Sequence, residues 1–241
     1  MSKYSNFVSD GIREDIQEYI YRNKLKSGDS LPSEVSMCEL FSCSRNSLRR
    51  ALAQLAGEDI VYTVSGHGTF ISPTKFMEES SNLTSFSSSW QKSGHRVSSR
   101  QLEFSVVDAN LKVSRMLDIP LGAKVFELKR LRLIDEVIVS VETSYIEKSK
   151  CPTLMSFRFD GSASLYAVLR DSFGLDVTQL QQNIRTTKIR SDESDLLCVE
   201  KDTAAFNISA IGLTSDNEVV EYSHTISRAD RYAIHYSAMA K

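Results

Sequence analysis

The sequence predicts an α+β protein of two domains, and three observations predict it. Between Phe7 and Leu55, apolar residues recur at helical spacing in three successive blocks. From Val97 to Arg228 the pattern changes to alternating strands joined as hairpins. Between the two, Pro73 to Asn82 (PTKFMEESSN) is short and polar. The expected division is residues 1–73, a linker over 74–82, and a second domain over 83–241.

The first block, Phe7, Val8, Ile12, Ile16, Tyr19 and Ile20, predicts a helix from about Ser5 to Lys24, broken by Gly28-Asp29. Pro32 then fixes the entry to a second helix, with Ser33 as its cap and Glu34 complementing the positive helix end. This helix runs to about Phe41. After the short break Ser42-Cys43 comes SCSRNSLRRALAQL, ending near Gly57. Here Leu48, Ala51, Leu52 and Leu55 form the apolar stripe, and Ser44 is the candidate N-cap. Arg45 and Arg49, one turn apart, project from the other side. The same residues also suit an ordinary solvated basic face. A strand from Ile60 to Val64, the turn Ser65-Gly66-His67-Gly68 and a return strand Thr69-Phe70-Ile71 follow. Three helices and a small hairpin make a winged helix-turn-helix, whose basic third helix suits a DNA major groove.

In the second half, Phe86 and Trp90 predict a short helix over Leu83–Gly94. A strand follows from about Val97, then a helix over Asp108–Leu117 ended by Pro120. Ala123–Ile134 and Val137–Ile146 form a hairpin around Asp135-Glu136. Leu165–Phe173 is a helix stopped by Gly174, Val177–Ile189 a strand, and Ser191–Val199 a short helix. Ala205–Leu213 and Val219–Arg228 form a second hairpin. The expectation is a mostly antiparallel sheet with helices on one side.

Composition narrows the function. At 41% hydrophobic and 25% charged, the chain is ordinary for a soluble globular protein. A net charge of -2 and a pI near 6.1 argue against a coat protein for nucleic acid, but operator binding needs only a cationic patch. No apolar run of about eighteen residues and no signal peptide is visible, so a cytoplasmic protein without a membrane partner is expected. Cys38, Cys43, Cys151 and Cys198 match no zinc spacing, and His67, His95, His224 and His235 are scattered. Neither a metal nor a cofactor is expected, and no catalytic set is visible.

On the strand after Ala123, Arg130 and Arg132 share a face with Phe126 and Leu128. Two guanidiniums beside an apolar patch invite an anion in a partly enclosed pocket. Glu142, on the partner strand, joins that face only if the hairpin register is even. The alternative is a cross-strand ion pair on a solvated face.

Residues 8–72 resemble the winged helix-turn-helix of the GntR family of bacterial transcription regulators. The resemblance is carried by Gly28-Asp29-x-Leu31-Pro32-Ser33-Glu34, by Leu40-Phe41-x-x-Ser44-Arg45-x-Ser47-Leu48-Arg49-x-Ala51-Leu52-x-x-Leu55, and by Gly66-x-Gly68-Thr69-Phe70-Ile71. It implies that Arg45 and Arg49 reach bases or phosphates, and that Gly66 enters the minor groove. Ser44 and Ser47 assist, and Ser33, Asn46, Arg50 and His67 are further candidate contacts. Departures are Val35 in place of an arginine, Ser47 in place of a threonine, and an uncharged approach to the wing, Tyr62-Thr63-Val64-Ser65.

Leu83 to Tyr236 resembles the UTRA effector-binding domain of the HutC-type GntR regulators, a fold related to chorismate lyase. The matching residues are Ser85-Phe86, Gly94, Arg130-Leu131-Arg132, Glu142, Ser164-Leu165-Tyr166, Phe173-Gly174, Glu221 and Arg228-x-Asp230-Arg231-Tyr232. The resemblance implies a site of Ser85, Phe86, Arg130, Arg132, Glu142, Ser164, Tyr166 and Glu221. In it, Arg130, Arg132, Ser85 and Ser164 hold a phosphate, while Glu142 and Glu221 face a sugar. A proline before Glu142 is absent, and a family tyrosine is here Ser227. Arg228, Asp230, Arg231 and Tyr232 are expected to pin the last strand. The implied protein is a homodimeric repressor on a palindromic operator, half-sites roughly 34 Å apart, under an anionic effector such as a sugar phosphate. The alternative is a chorismate-lyase-like enzyme fused to a DNA-binding domain.

Overall fold

A computed structural model describes residues 3–73, 75–79, 86, 90 and 93–235. The chain divides into two compact units, Met1–Thr74 and Lys75–Lys241.

In the first unit α1 (Lys3–Arg22), α2 (Glu34–Leu40) and α3 (Arg45–Gly57) precede the hairpin β1 (Val61–Val64) and β2 (Gly68–Ile71). Ser33 and Ser44 are the N-caps, accepting from the amides of Ser36 and Ser47. The predicted stripe is the core: Leu48, Ala51, Leu52 and Leu55 are buried against Ile12, Ile16, Leu31 and Met37. Helix α2 buries only Met37, and its Val35 and Leu40 are exposed. Truncating Leu48 in this core is expected to destabilise the unit by about 2–5 kcal/mol in chemical denaturation. Ser30 bridges to Phe70, so the segment before α2 adds a third short rung to the hairpin.

The second unit is a six-stranded antiparallel sheet in the order β4-β5-β6-β9-β8-β7. Its strands are β4 (Val97–Asp108), β5 (Lys124–Ile134), β6 (Val137–Glu147), β7 (Gln179–Lys188), β8 (Ala204–Leu213) and β9 (Val219–Arg228). Its helices are α4 (Leu111–Leu117), α5 (Leu165–Phe173) and α6 (Ser191–Leu197). Strand-helix-strand-strand occurs twice, and the two copies meet at the central pair β6–β9. The copies match in detail. Each short helix ends on a left-handed residue, Asp118 (φ 54°) or Cys198 (φ 53°). Matching amides close the turns, Ile119 to Ser114 and Val199 to Ser194.

Three expectations need correction. Helices cover both faces of the sheet, not one: α5 packs on Phe126, Leu128 and Ile146, whereas α4 and α6 pack on the opposite side. The reason lies in β5, which is buried at both parities of its pleat and must be covered twice. Helix α4 begins at Leu111 because β4 runs on to Asp108 and Asn110 caps the helix by accepting from two amides. It ends at left-handed Asp118, ahead of Pro120. Within the expected linker, Phe76–Glu79 is a strand, β3, which pairs in parallel with β10 (Tyr232–His235). That partner lies far along the chain, so the local sequence does not reveal it. The expected helix over Leu83–Gly94 lies largely outside the described residues; Phe86 and Trp90 are helical.

The hairpin β5–β6 sets up the site. Asp135 and Glu136 have φ of 47° and 67°, the left-handed pair of a two-residue turn. Asp135 is held there by the Arg96 amide at 2.9 Å and His95 Nδ1 at 2.7 Å. The turn pairs Ile134 with Val137, but beyond it the register slips: Leu133 faces Ile138, while Arg132 faces Ser140. Val139 is the extra residue. Its side chain is fully buried in a cluster with Trp90, Ile134 and Ile208.

Candidate functional site

The bulge brings Glu142 directly opposite Arg130, on the face that carries Arg132. The even register is therefore met. The solvated alternative is not, because Arg130 and Arg132 are each only 3% exposed. The face lines a concavity of about 790 Å³ that is continuous with open solvent. It lies over the central strands, with α5 at its side.

Arg130 donates from Nη2 to Glu142 Oε1 in a short ion pair, and Arg132 Nη1 stands 3.7 Å from the same oxygen. The Arg132 guanidinium stacks on Phe86, 4.3 Å from the ring centre. Arg130 Nε and Nη1 are buried and have no hydrogen-bond partner among the described residues. Buried donors of this kind call for an acceptor that a ligand can supply. Ser164 caps α5 by accepting from the Ala167 amide, and Ser164, Leu165 and Tyr166 line the pocket, so the positive end of the helix opens on it. Tyr166 donates its hydroxyl to Glu221 Oε2 at 2.6 Å. Gly212 makes room for this pair, since a Cβ there would lie 3.3 Å from the Tyr166 hydroxyl.

The electrostatics divide the two acids. Burial opposes ionisation of Glu142, but Arg130 and Arg132 outweigh it and hold the carboxyl below its usual range. Glu221 goes the other way: burial and the charge of Glu142 raise it. Burial lowers Arg132 to about 10, which still leaves it protonated at neutral pH. Wherever Glu221 is protonated, two cations face one anion and the pocket carries net positive charge.

Of the expected residues, Phe86, Arg130, Arg132, Glu142, Ser164, Tyr166 and Glu221 line this one pocket. Ser85 lies outside the described residues. Arg228 pairs with Asp230 and donates to the carbonyls of Ile138 and Leu197, which ties the end of β9 to β6 and to the end of α6. Tyr232, expected only to support, lines the pocket as well. Ser140, Ser223 and Thr225, which sequence reasoning missed, form a hydroxyl-bearing floor together with Ser227. Its signal was available: Ser223, Thr225 and Ser227 alternate along one strand and so share a face. Gln182 and Leu180 of β7 were also missed, because a strand exposed along most of its length carries no hydrophobic pattern.

In the first unit, Arg45, Asn46, Arg49 and Arg50 are exposed on α3 and Ser47 is half-buried. Ser44 and Ser47 share a hydroxyl–hydroxyl hydrogen bond of 2.9 Å, as Ser33 and Ser36 do at 2.8 Å. Arg49 is held by Glu34 of α2, with Nε and Nη2 each 3.0 Å from Oε2. Glu34 was expected only to complement its own helix; it also orients the guanidinium of the next one. At the hairpin tip Gly66 takes φ 78°, and His67 Nδ1 lies 3.1 Å from the Ser65 carbonyl.

Residues 8–71 match the bacterial regulatory proteins of the gntR family, and residues 92–233 match the UTRA domain. The chain is 24% identical over 226 residues to the HTH-type transcriptional repressor NagR of Bacillus subtilis, covering 93% of this chain and 92% of that one. It is 26% identical over 230 residues to the mannosyl-D-glycerate transport/metabolism system repressor MngR of Escherichia coli, covering 95% of each. The crystal structure of PhnF from Mycobacterium smegmatis superposes with a TM-score of 0.67 at 25% identity, over 95% of this chain and all of that one.

Proposed function

Because this chain belongs to the UTRA-domain regulators of the bacterial gntR family, and is thus a DNA-binding transcriptional regulator controlled by a small-molecule effector, we propose that its effector is an anion, in chemical class a phosphorylated sugar. The observation that supports this is the buried pair Arg130 and Arg132 facing one pocket, with Arg130 Nε and Nη1 left over as donors. The α5 N-terminus adds positive potential for a phosphate. The hydroxyl floor and Glu142 suit the hydroxyls of a sugar. Arg45 and Arg49 read the operator, with Gly66 and His67 at the flanking minor groove. Two copies bind a palindrome, and the effector shifts them between arrangements that fit or miss its half-sites. The protein acts in the cytoplasm and its pocket binds without turnover.

A thermal-shift screen tests the effector class. Phosphorylated hexoses should raise the melting temperature, because a ligand that binds only the folded state stabilises it. The unphosphorylated sugars should not. Equal shifts from both would overturn the anion assignment.

The raised Glu221 also gives the effector affinity a sign with pH. Below its pKa, Glu221 is neutral and the pocket, holding Arg130, Arg132 and ionised Glu142, favours an anion. As pH rises through that pKa, Glu221 ionises and repels the anion, so affinity should fall. Tyr166 keeps its proton throughout, its own pKa being raised by burial and by Glu221. A sulfate-ester sugar, which does not titrate in this range, isolates the effect. Glu221→Gln should flatten the calorimetric pH profile; an unchanged slope would exclude Glu221 as the titrating group.

A further inference from the structure

The two outer strands of the six-stranded sheet, β4 and β7, are matching elements of the internal duplication, yet they are finished differently. The outer edge of β4 is blocked. A bulge interrupts its register between Gln101 and Glu103. The loop carrying Phe159, Asp160 and Gly161 lies along it: Ser99 and Gly161 exchange backbone hydrogen bonds of 2.7 and 2.8 Å, and Asp160 accepts from the Gln101 amide at 2.8 Å. The Gln101 side chain in turn accepts from the Phe159 amide. These are the devices by which proteins keep a sheet edge from pairing.

Strand β7 has none of them. It pairs with β8 through ten uninterrupted partners, without a bulge, and among the described residues nothing pairs with its other side. Its sequence, QLQQNIRTTK, has no proline and no acid, and eight of its ten residues are exposed. Ile184, near its middle, is 42% exposed. A long, regular, open edge with an apolar residue at its centre is a template for another strand.

We propose that this edge is the seam between two copies of the chain, β7 pairing antiparallel with the β7 of its partner so that one sheet runs through the dimer. The composition fits a second copy. With the two-fold axis at Asn183, Arg185 falls opposite Gln181, and the partner's Arg185 is neither its direct nor its diagonal neighbour. Like charges therefore do not face each other, and the amides of Gln181, Gln182 and Asn183 supply hydrogen-bonding partners across the seam. The consequence is regulatory. Leu180 and Gln182 of the same strand line the pocket, so a ligand there presses directly on the element that joins the copies. This rests on the homodimer proposed above and adds where its two chains meet.

The test uses the full chain with Cys38, Cys43 and Cys198 changed to serine and buried Cys151 retained. Gln181→Cys, Asn183→Cys and Arg185→Cys are made singly, with Glu103→Cys on β4 as the control edge. Residues on facing antiparallel strands lie within about 8 Å of a direct or diagonal neighbour, so a short bis-maleimide bridges them. The expected result is a covalent dimer in at least one β7 variant and none for Glu103→Cys. In parallel, Ile184→Lys should shift the sedimentation profile from dimer toward monomer while the far-ultraviolet circular dichroism stays unchanged. A dimer by sedimentation that neither cross-links through β7 nor responds to Ile184→Lys would overturn the seam and leave the homodimer standing. A monomer at every concentration would overturn both.

Discussion

Arg132→Ala is expected to abolish the effector response and leave operator binding unchanged. The guanidinium is almost wholly buried, stacked on Phe86 and close to Glu142. Removing it costs the pocket one of its two cations and leaves Glu142 with Arg130 alone. Truncating one member of a buried charge pair typically costs about 2–5 kcal/mol, or roughly 30- to several-thousand-fold in affinity. Calorimetry with the phosphorylated sugar that gives the largest thermal shift reads the loss, and a mobility-shift titration without sugar reads operator affinity. Arg132→Met, which keeps much of the volume over Phe86, separates lost charge from lost packing. Effector affinity retained in both variants would sink the anion site.

Arg49→Ala carries the second large effect, on DNA. Helix α3 presents Arg45 and Arg49 from the face opposite its buried stripe, and its N-cap and apolar contacts hold it rigidly. Losing an arginine that reads a base edge costs about 1–3 kcal/mol, roughly 5- to 150-fold in affinity. Effector binding should be unaffected, since the pocket lies wholly in the second unit. Unchanged operator affinity would overturn the recognition-helix assignment. Glu34→Gln makes the finer distinction. Its ion pair with Arg49 is well exposed, so stability should scarcely change. Releasing the guanidinium and removing a negative charge should instead raise affinity for non-operator DNA and narrow the gap to the operator. A variant with lower melting temperature and unaltered discrimination would return Glu34 to a purely structural role.

Much of the first unit could be read from the sequence, because its determinants are local. The stripe of Leu48, Ala51, Leu52 and Leu55, the caps Ser33 and Ser44 and the glycine wing all act within a few residues of themselves. Long-range pairing was harder to see. Strand β3 exists only because Tyr232–His235 lies beside it, and the second layer of helices followed from burial that the alternation of Leu102, Phe104 and Val106 did not announce.

The pocket shows the same division most sharply. By itself the sequence determined that Arg130 and Arg132 share a face, because side chains on a strand alternate and no partner is needed to make them do so. It left undetermined whether Glu142 would meet them. The two-residue turn at Asp135-Glu136 alone would set Arg130 opposite Val141 and send Glu142 to the other face. The tertiary structure decides otherwise through one inserted residue, Val139, lodged among Trp90, Ile134 and Ile208. A shift of one residue inverts every side chain beyond it, and the contacts that hold this one come from distant parts of the chain.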